Sequence, residues 1–178
     1  MTKIHFQTKL FTIDPWVILR LPEDSSAHFT SRSQVVAKGT INGMPIETVL
    51  EPDGKWSHFF KVSEELQKTA GVKSGDTVDV ELEQVQDWPE PEIPEDLQKA
   101  LDDNPDVYAF WRTVTPMARW EWIRWINATK SAETRAHRIV VSLSKMRKGE
   151  KRPCCFNRAM CTDPYVSKGG RLLEPVDS

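Results

Sequence analysis

From Ile4 to Val85 the apolar positions recur at every second residue or in short runs of β-branched and aromatic side chains, the signature of half-buried strands. Six runs stand out: Ile4 to Ile13, Trp16 to Leu21, Gln34 to Ile41, Ile46 to Glu51, Trp56 to Val62 and Thr77 to Val85. Together they predict a small closed β-barrel. Asn42-Gly43 predicts a two-residue hairpin turn with positive φ at both positions, and Pro52-Asp53-Gly54 repeats the signal one strand later. Between the last two strands, Ser63 reads as the N-cap and Gly71 as the stop of a short helix.

After Asp87 the pattern changes. Asp87-Trp-Pro-Glu-Pro-Glu-Ile-Pro94 has three prolines, which hold the backbone extended and remove amide donors, so it reads as a linker. Pro94-Glu-Asp then opens a helix to about Asp103, and Asn104-Pro105 breaks it before a second helix from Asp106 to about Thr113. Thr115-Pro116 caps a third helix to about Lys130, and Ser131 caps a fourth to Lys148. In that fourth helix Ala136, Ile139, Val140, Leu143 and Met146 form an apolar stripe, while Arg135, Arg138, Ser142 and Lys145 recur on another face. The expected class is α+β: a β-barrel over 1–86, a linker over 87–94, a helical module over 95–150 and an irregular tail over 151–178.

The chain has 178 residues and a 39% apolar share, enough for one domain or two small ones without disulfide help. Its start lacks a charged n-region followed by an apolar run, and no stretch approaches the roughly 18 apolar residues of a membrane span, so the cytosol is the expected compartment. The formal net charge of −2 hides an uneven distribution. Residues 87–110 hold eight acidic side chains and one basic, whereas residues 111–153 hold eleven basic and three acidic. Mutual compensation is the simplest reading, which makes nucleic acid an unlikely partner for the basic stretch.

The block Arg119 to Ile139 concentrates tryptophan and arginine: Trp111, Trp120, Trp122 and Trp125 lie in or beside it, with Arg112, Arg119, Arg124, Arg135 and Arg138. The helix carrying Trp120, Trp122 and Trp125 is apolar in nearly every direction, which predicts burial on more than one side. The candidate ligand site is the start of the next helix. Ser131, Glu133, Thr134, Arg135 and Arg138 gather there, where free amides favour negative charge and an arginine fork can take phosphate or carboxylate. Against this stands a salt-bridged surface facing the acidic segment. Glu133 and His137, one turn apart, read as a surface contact rather than an acid–base pair. Cys154, Cys155 and Cys161, with Met160, form a soft-ligand set that fits a redox or metal sensor, or simple burial. No catalytic signature, phosphate loop or metal-ligand spacing appears, so a non-catalytic binder of a small anionic or peptide ligand, with no cofactor, is the first expectation and a thiol sensor the second.

The segments Gly39-Thr-Ile-Asn-Gly43, Lys73-Ser-Gly-Asp-Thr-Val78, the Pro-Glu-Pro linker and Trp125-Ile-Asn-Ala-Thr-Lys-Ser-Ala-Glu-Thr-Arg-Ala-His-Arg-Ile139 resemble the YdeI/OmpD-associated family, also called bacteriocin-protection proteins. The resemblance covers residues 1 to about 150. It implies an N-terminal domain like the double-split β-barrels related to AbrB, a C-terminal helical module, and a role in tolerance to antimicrobial peptides or envelope stress. It implies no reaction, cofactor or catalytic residue. DNA binding of the AbrB kind is disfavoured, since residues 1–86 carry nine basic against twelve acidic side chains.

Overall fold

The computed structural model describes residues 3–153 and 163–175. They divide into two compact units, one of residues 3–87 with 166–175 and one of residues 88–153 with 163–165.

In the first unit, strands β1 (Lys3–Lys9), β2 (Phe11–Ile13), β3 (Trp16–Arg20), β4 (Val35–Ile41), β5 (Met44–Pro52), β6 (His58–Val62) and β7 (Thr77–Val85) make one antiparallel sheet of order β1-β7-β4-β5-β6-β3-β2. The sheet curls into a half-barrel. The expected small β-barrel of about six strands is present as this curled sheet of seven, with β1 and β2 at opposite ends of the ladder. The run from Ile4 to Ile13 divides at Leu10, whose N–H donates to the Asp76 carbonyl and whose carbonyl accepts from the Gly75 N–H. The bond to Asp76 keeps the β1–β7 register while the bond from Gly75 slips by one residue, and the buried positions pass from even numbers (Ile4, Phe6, Leu10) to odd (Ile13), so the chain turns a corner there.

Alternation places Ile4, Phe6, Ala37, Ile41, Leu50, Phe60, Val78, Val80 and Leu82 in one core. The Asn42-Gly43 turn has φ of 49° and 80°, as a type I′ hairpin requires. Helix α2 (Glu64–Ala70) is capped by Ser63, whose side chain accepts from the Leu66 N–H, and stops at Gly71 with φ 67°. Helix α1 (Glu23–Ser26), of four residues, is too short to leave a period in the sequence. Beyond the helical unit, β8 (Ser167–Lys168) and β9 (Arg171–Leu172) pair across the Gly169-Gly170 turn. The tail is therefore not wholly irregular: Val166 and Leu172 bury against Ile13, Ile18 and Phe59.

The second unit holds α3 (Glu95–Asp102), α4 (Pro105–Trp111), α5 (Pro116–Asn127) and α6 (Ala132–Arg147). Proline opens α4 and α5, and the Thr115 and Ser131 side chains accept from the Ala118 and Thr134 amides. The core gathers Leu97, Leu101, Val107, Trp111, Trp122, Ile123, Ile126, Ile139, Leu143 and Met146. Helix α5 is covered on more than one side, as its sequence predicts: Ala118, Arg119, Glu121, Trp122, Ile123, Arg124 and Ile126 are all buried. Arg119 ties the proline-rich segment down, gripping Glu90 with Nε and Nη2 while Nη1 donates to the Trp111 and Val114 carbonyls. The Trp120 indole donates to the Pro89 carbonyl (2.7 Å).

Candidate functional site

The start of α6 holds Ser131, Glu133, Thr134 and Arg135 together, with Arg138 one turn further on. Ser131, Arg135 and Arg138 use their polarity locally. The Ser131 hydroxyl accepts from the Thr134 N–H (3.1 Å), which removes one free amide from the helix end. Glu133 is exposed. Arg135 gives its fork to a carboxylate already present: Nε and Nη2 donate to Asp96 Oδ2 (2.6 Å) and Oδ1 (3.0 Å), and Nη1 donates to Asn127 Oδ1 (2.6 Å). This bidentate pair holds the Asp96 carboxyl below its ordinary pKa, chiefly through the hydrogen bond from Arg135, and raises that of Arg135 in turn. Arg138 turns elsewhere. Its Nη1 donates to the Trp125 carbonyl (2.8 Å) and its guanidinium lies 5.4 Å from the centre of the Trp125 ring, which Lys145 also approaches at 5.9 Å.

The acidic and basic stretches meet at several such points. Arg147 Nε donates to Asp106 (3.0 Å) and Arg119 grips Glu90, while within the basic stretch Arg152 lies 3.3 Å from the buried Glu121. Hydrogen bonding to Arg147 lowers the pKa of the exposed Asp106. What remains beside Arg135 is acidic. An open concavity of about 1160 Å³ is lined by Ile93 and Pro94, by the carboxylates of Glu92, Glu95, Asp96 and Asp102, and by Lys99 and Arg135. Lys99 itself pairs with Asp103 (3.2 Å).

Cys154, Cys155 and Cys161 lie outside the described residues. Among the described residues no three His, Cys, Asp or Glu side chains gather as a metal-ligand set. No helix there is long and apolar enough to cross a membrane.

The sequence reading passed over the polar groups that organise the β unit. His58 is buried at the start of β6; its Nε2 bonds the Ser33 carbonyl (2.8 Å) and its Nδ1 bonds Ser26 Oγ (2.5 Å), pinning both ends of the segment between α1 and β4. Burial is the main cause of its lowered pKa, so it is a neutral ring that donates to Ser33 and accepts from Ser26. Serine and histidine in contact suggest a nucleophile with its base, but both are buried, and the pair ties a loop. Asp53, also buried, accepts from Arg20 Nε (2.6 Å), the Lys55 N–H (2.7 Å) and the Ser57 N–H (2.9 Å). The signals were a histidine in the apolar run His58-Phe-Phe and an aspartate opening the predicted turn.

Comparison with known proteins follows the division into units. Residues 5–82 match a domain of unknown function, DUF1905, and residues 90–149 match the model described as bacteriocin-protection, YdeI or OmpD-associated. No curated protein matches the chain. The two matched segments coincide with the two units: the helical unit is similar to the bacteriocin-protection, YdeI or OmpD-associated family, and the β unit to the DUF1905 domain of unknown function.

Proposed function

We propose that this protein serves bacteriocin protection as a non-catalytic binding protein, and that the ligand of its helical unit is a positively charged peptide. The observation that carries this reading is the concavity beside α3, where Glu92, Glu95, Asp96 and Asp102 outnumber Lys99 and Arg135 over a floor of Ile93 and Pro94. Such a surface suits an amine-bearing side chain at the rim with an apolar neighbour on the floor. A small anion is the less suitable ligand. It would have to displace Asp96 from the Arg135 fork and approach the remaining carboxylates. In this reading Arg135 orients Asp96, Ser131 and Thr134 fix the start of α6, Arg138 holds Trp125, and Glu133 adds to the negative field.

Exposed ion pairs are worth about 0–1 kcal/mol each, so the affinity expected is modest and salt-sensitive. Calorimetric titration of the full chain with a lysine-rich amphipathic peptide, beside inorganic phosphate, tests it. Heat from the peptide that shrinks with salt and falls several-fold in the double variant Glu95→Gln, Asp102→Asn is the expected result. Binding of phosphate that survives those substitutions and is lost in Arg135→Ala would replace the peptide with an anion.

A further inference from the structure

We propose that the β unit carries a second surface, on the loop between β5 and β6 and the β8–β9 hairpin, that docks on anionic lipid bilayers. Among the described residues of this unit, two large apolar side chains stand exposed, Trp56 at 65% and Leu173 at 39%. Both belong to one junction. The Leu172 N–H donates to the Asp53 carbonyl (2.8 Å), and a Cβ on Gly54 would run into the Gly170 carbonyl, so hairpin and loop touch through backbone at glycine positions.

The charge around this junction is positive. Arg32, Lys55, Lys168 and Arg171 surround it; Lys55 pairs with Glu174, while Arg32, Lys168 and Arg171 have no carboxylate in ion-pair distance among the described residues. Asp53 is buried and committed to Arg20. A cationic patch with an exposed indole on a chain of formal charge −2 is local design rather than composition.

The loop is also held outward. Trp56 has φ 76°, a conformation a bulky side chain rarely adopts, and the two Asp53 bonds to the Lys55 and Ser57 amides fix the residues on either side of it. Indole rings settle at the headgroup level of bilayers, an aliphatic neighbour deepens that contact, and lysine and arginine meet anionic headgroups. Leu173 also walls an open groove of about 710 Å³ with Phe11, Ile13 and Pro175, whose lining also includes Lys9, Asp14 and Glu174. Single-stranded nucleic acid fits less well. The Arg32 guanidinium lies 4.6 Å over the Trp56 ring and takes one of the two faces on which a base could stack, and Leu173 offers a base nothing.

Sedimentation of the full chain with phosphatidylcholine vesicles containing about one third phosphatidylserine tests this. Expected is binding to these vesicles and not to pure phosphatidylcholine, reduced about fivefold for each charge removed in Lys168→Gln and Arg171→Gln, and lost at high salt. Trp56→Gly should abolish binding while leaving the unfolding midpoint unchanged or higher, because glycine accepts the positive φ. That variant leaves the acidic concavity intact, so its failure to bind vesicles is separable from any failure to bind peptide. No binding of the folded wild-type chain to the anionic vesicles overturns the proposal, as does Trp56-dependent binding of a single-stranded oligonucleotide in its place.

Discussion

Two tryptophan–arginine pairs in this molecule share their chemistry and differ in setting. Arg138 donates to the Trp125 carbonyl and lies over its ring on the helical unit; Arg32 donates to the Trp56 carbonyl (3.1 Å) and lies over its ring on the β unit. Trp125 stands edge-on to the fully buried Trp122, 6.5 Å between ring centres, and belongs to the fringe of the core. Trp56 stands in solvent on a loop held by a buried carboxylate. The pair in the densest tryptophan–arginine block is structural, and the isolated pair is the one presented outward. Density in sequence marks packing here, whereas strain and exposure mark a surface for recognition.

Breaking the support of each pair should have the largest effect. Trp122→Ala removes a fully buried indole and should cost about 3–5 kcal/mol, read by chemical denaturation. Asp53→Ala leaves Arg20 and two backbone amides without their acceptor and should cost about 2–4 kcal/mol, with Trp56 losing its fixed position in fluorescence quenching. A smaller loss is expected on acidification. His58 has a lowered pKa in the folded chain, so the unfolded chain binds its proton first. The stability it contributes is complete above the unfolded value of about 6.5 and is lost as pH falls toward the lowered folded value. The variant His58→Gln should flatten that part of the stability profile measured by thermal unfolding. Asp53 and Arg32, the charges that face His58, oppose each other in this effect. The smallest change is expected from Arg135→Ala. The pair with Asp96 is partly exposed and worth about 1 kcal/mol, so the substitution should alter the field of the concavity more than the stability.

Much of the fold was legible because its signals are local. Asn42-Gly43, Ser63 with Gly71, Thr115-Pro116 and Ser131 all sit where cap and turn chemistry predicts. The corner at Leu10 was not legible, since its bonds run to Gly75 and Asp76, far away in sequence. Nor was the anchoring of the tail, where Val166 and Leu172 bury while the neighbouring Tyr165 and Leu173 stay exposed, a difference that no period in the sequence marks. For the candidate site, the sequence placed Arg135 at a helix start beside an acidic stretch and left its partner open. Asp96, 39 positions earlier, could be named only once α3 and α6 were in place. Charge counts alone showed that the two stretches balance, without showing that the remainder beside α3 is acidic.

Nitrogen-15 NMR titration of the full chain with the lysine-rich peptide, and separately with phosphate, tests the central claim that the helical unit has internal partners for its candidate arginines and presents carboxylates to its ligand. Expected are peptide-induced shifts concentrated between Glu92 and Asp102, with none from phosphate at the start of α6. Phosphate-induced shifts at Ser131, Thr134 and Arg135, with the Glu92 to Asp102 amides unmoved by peptide, would contradict it.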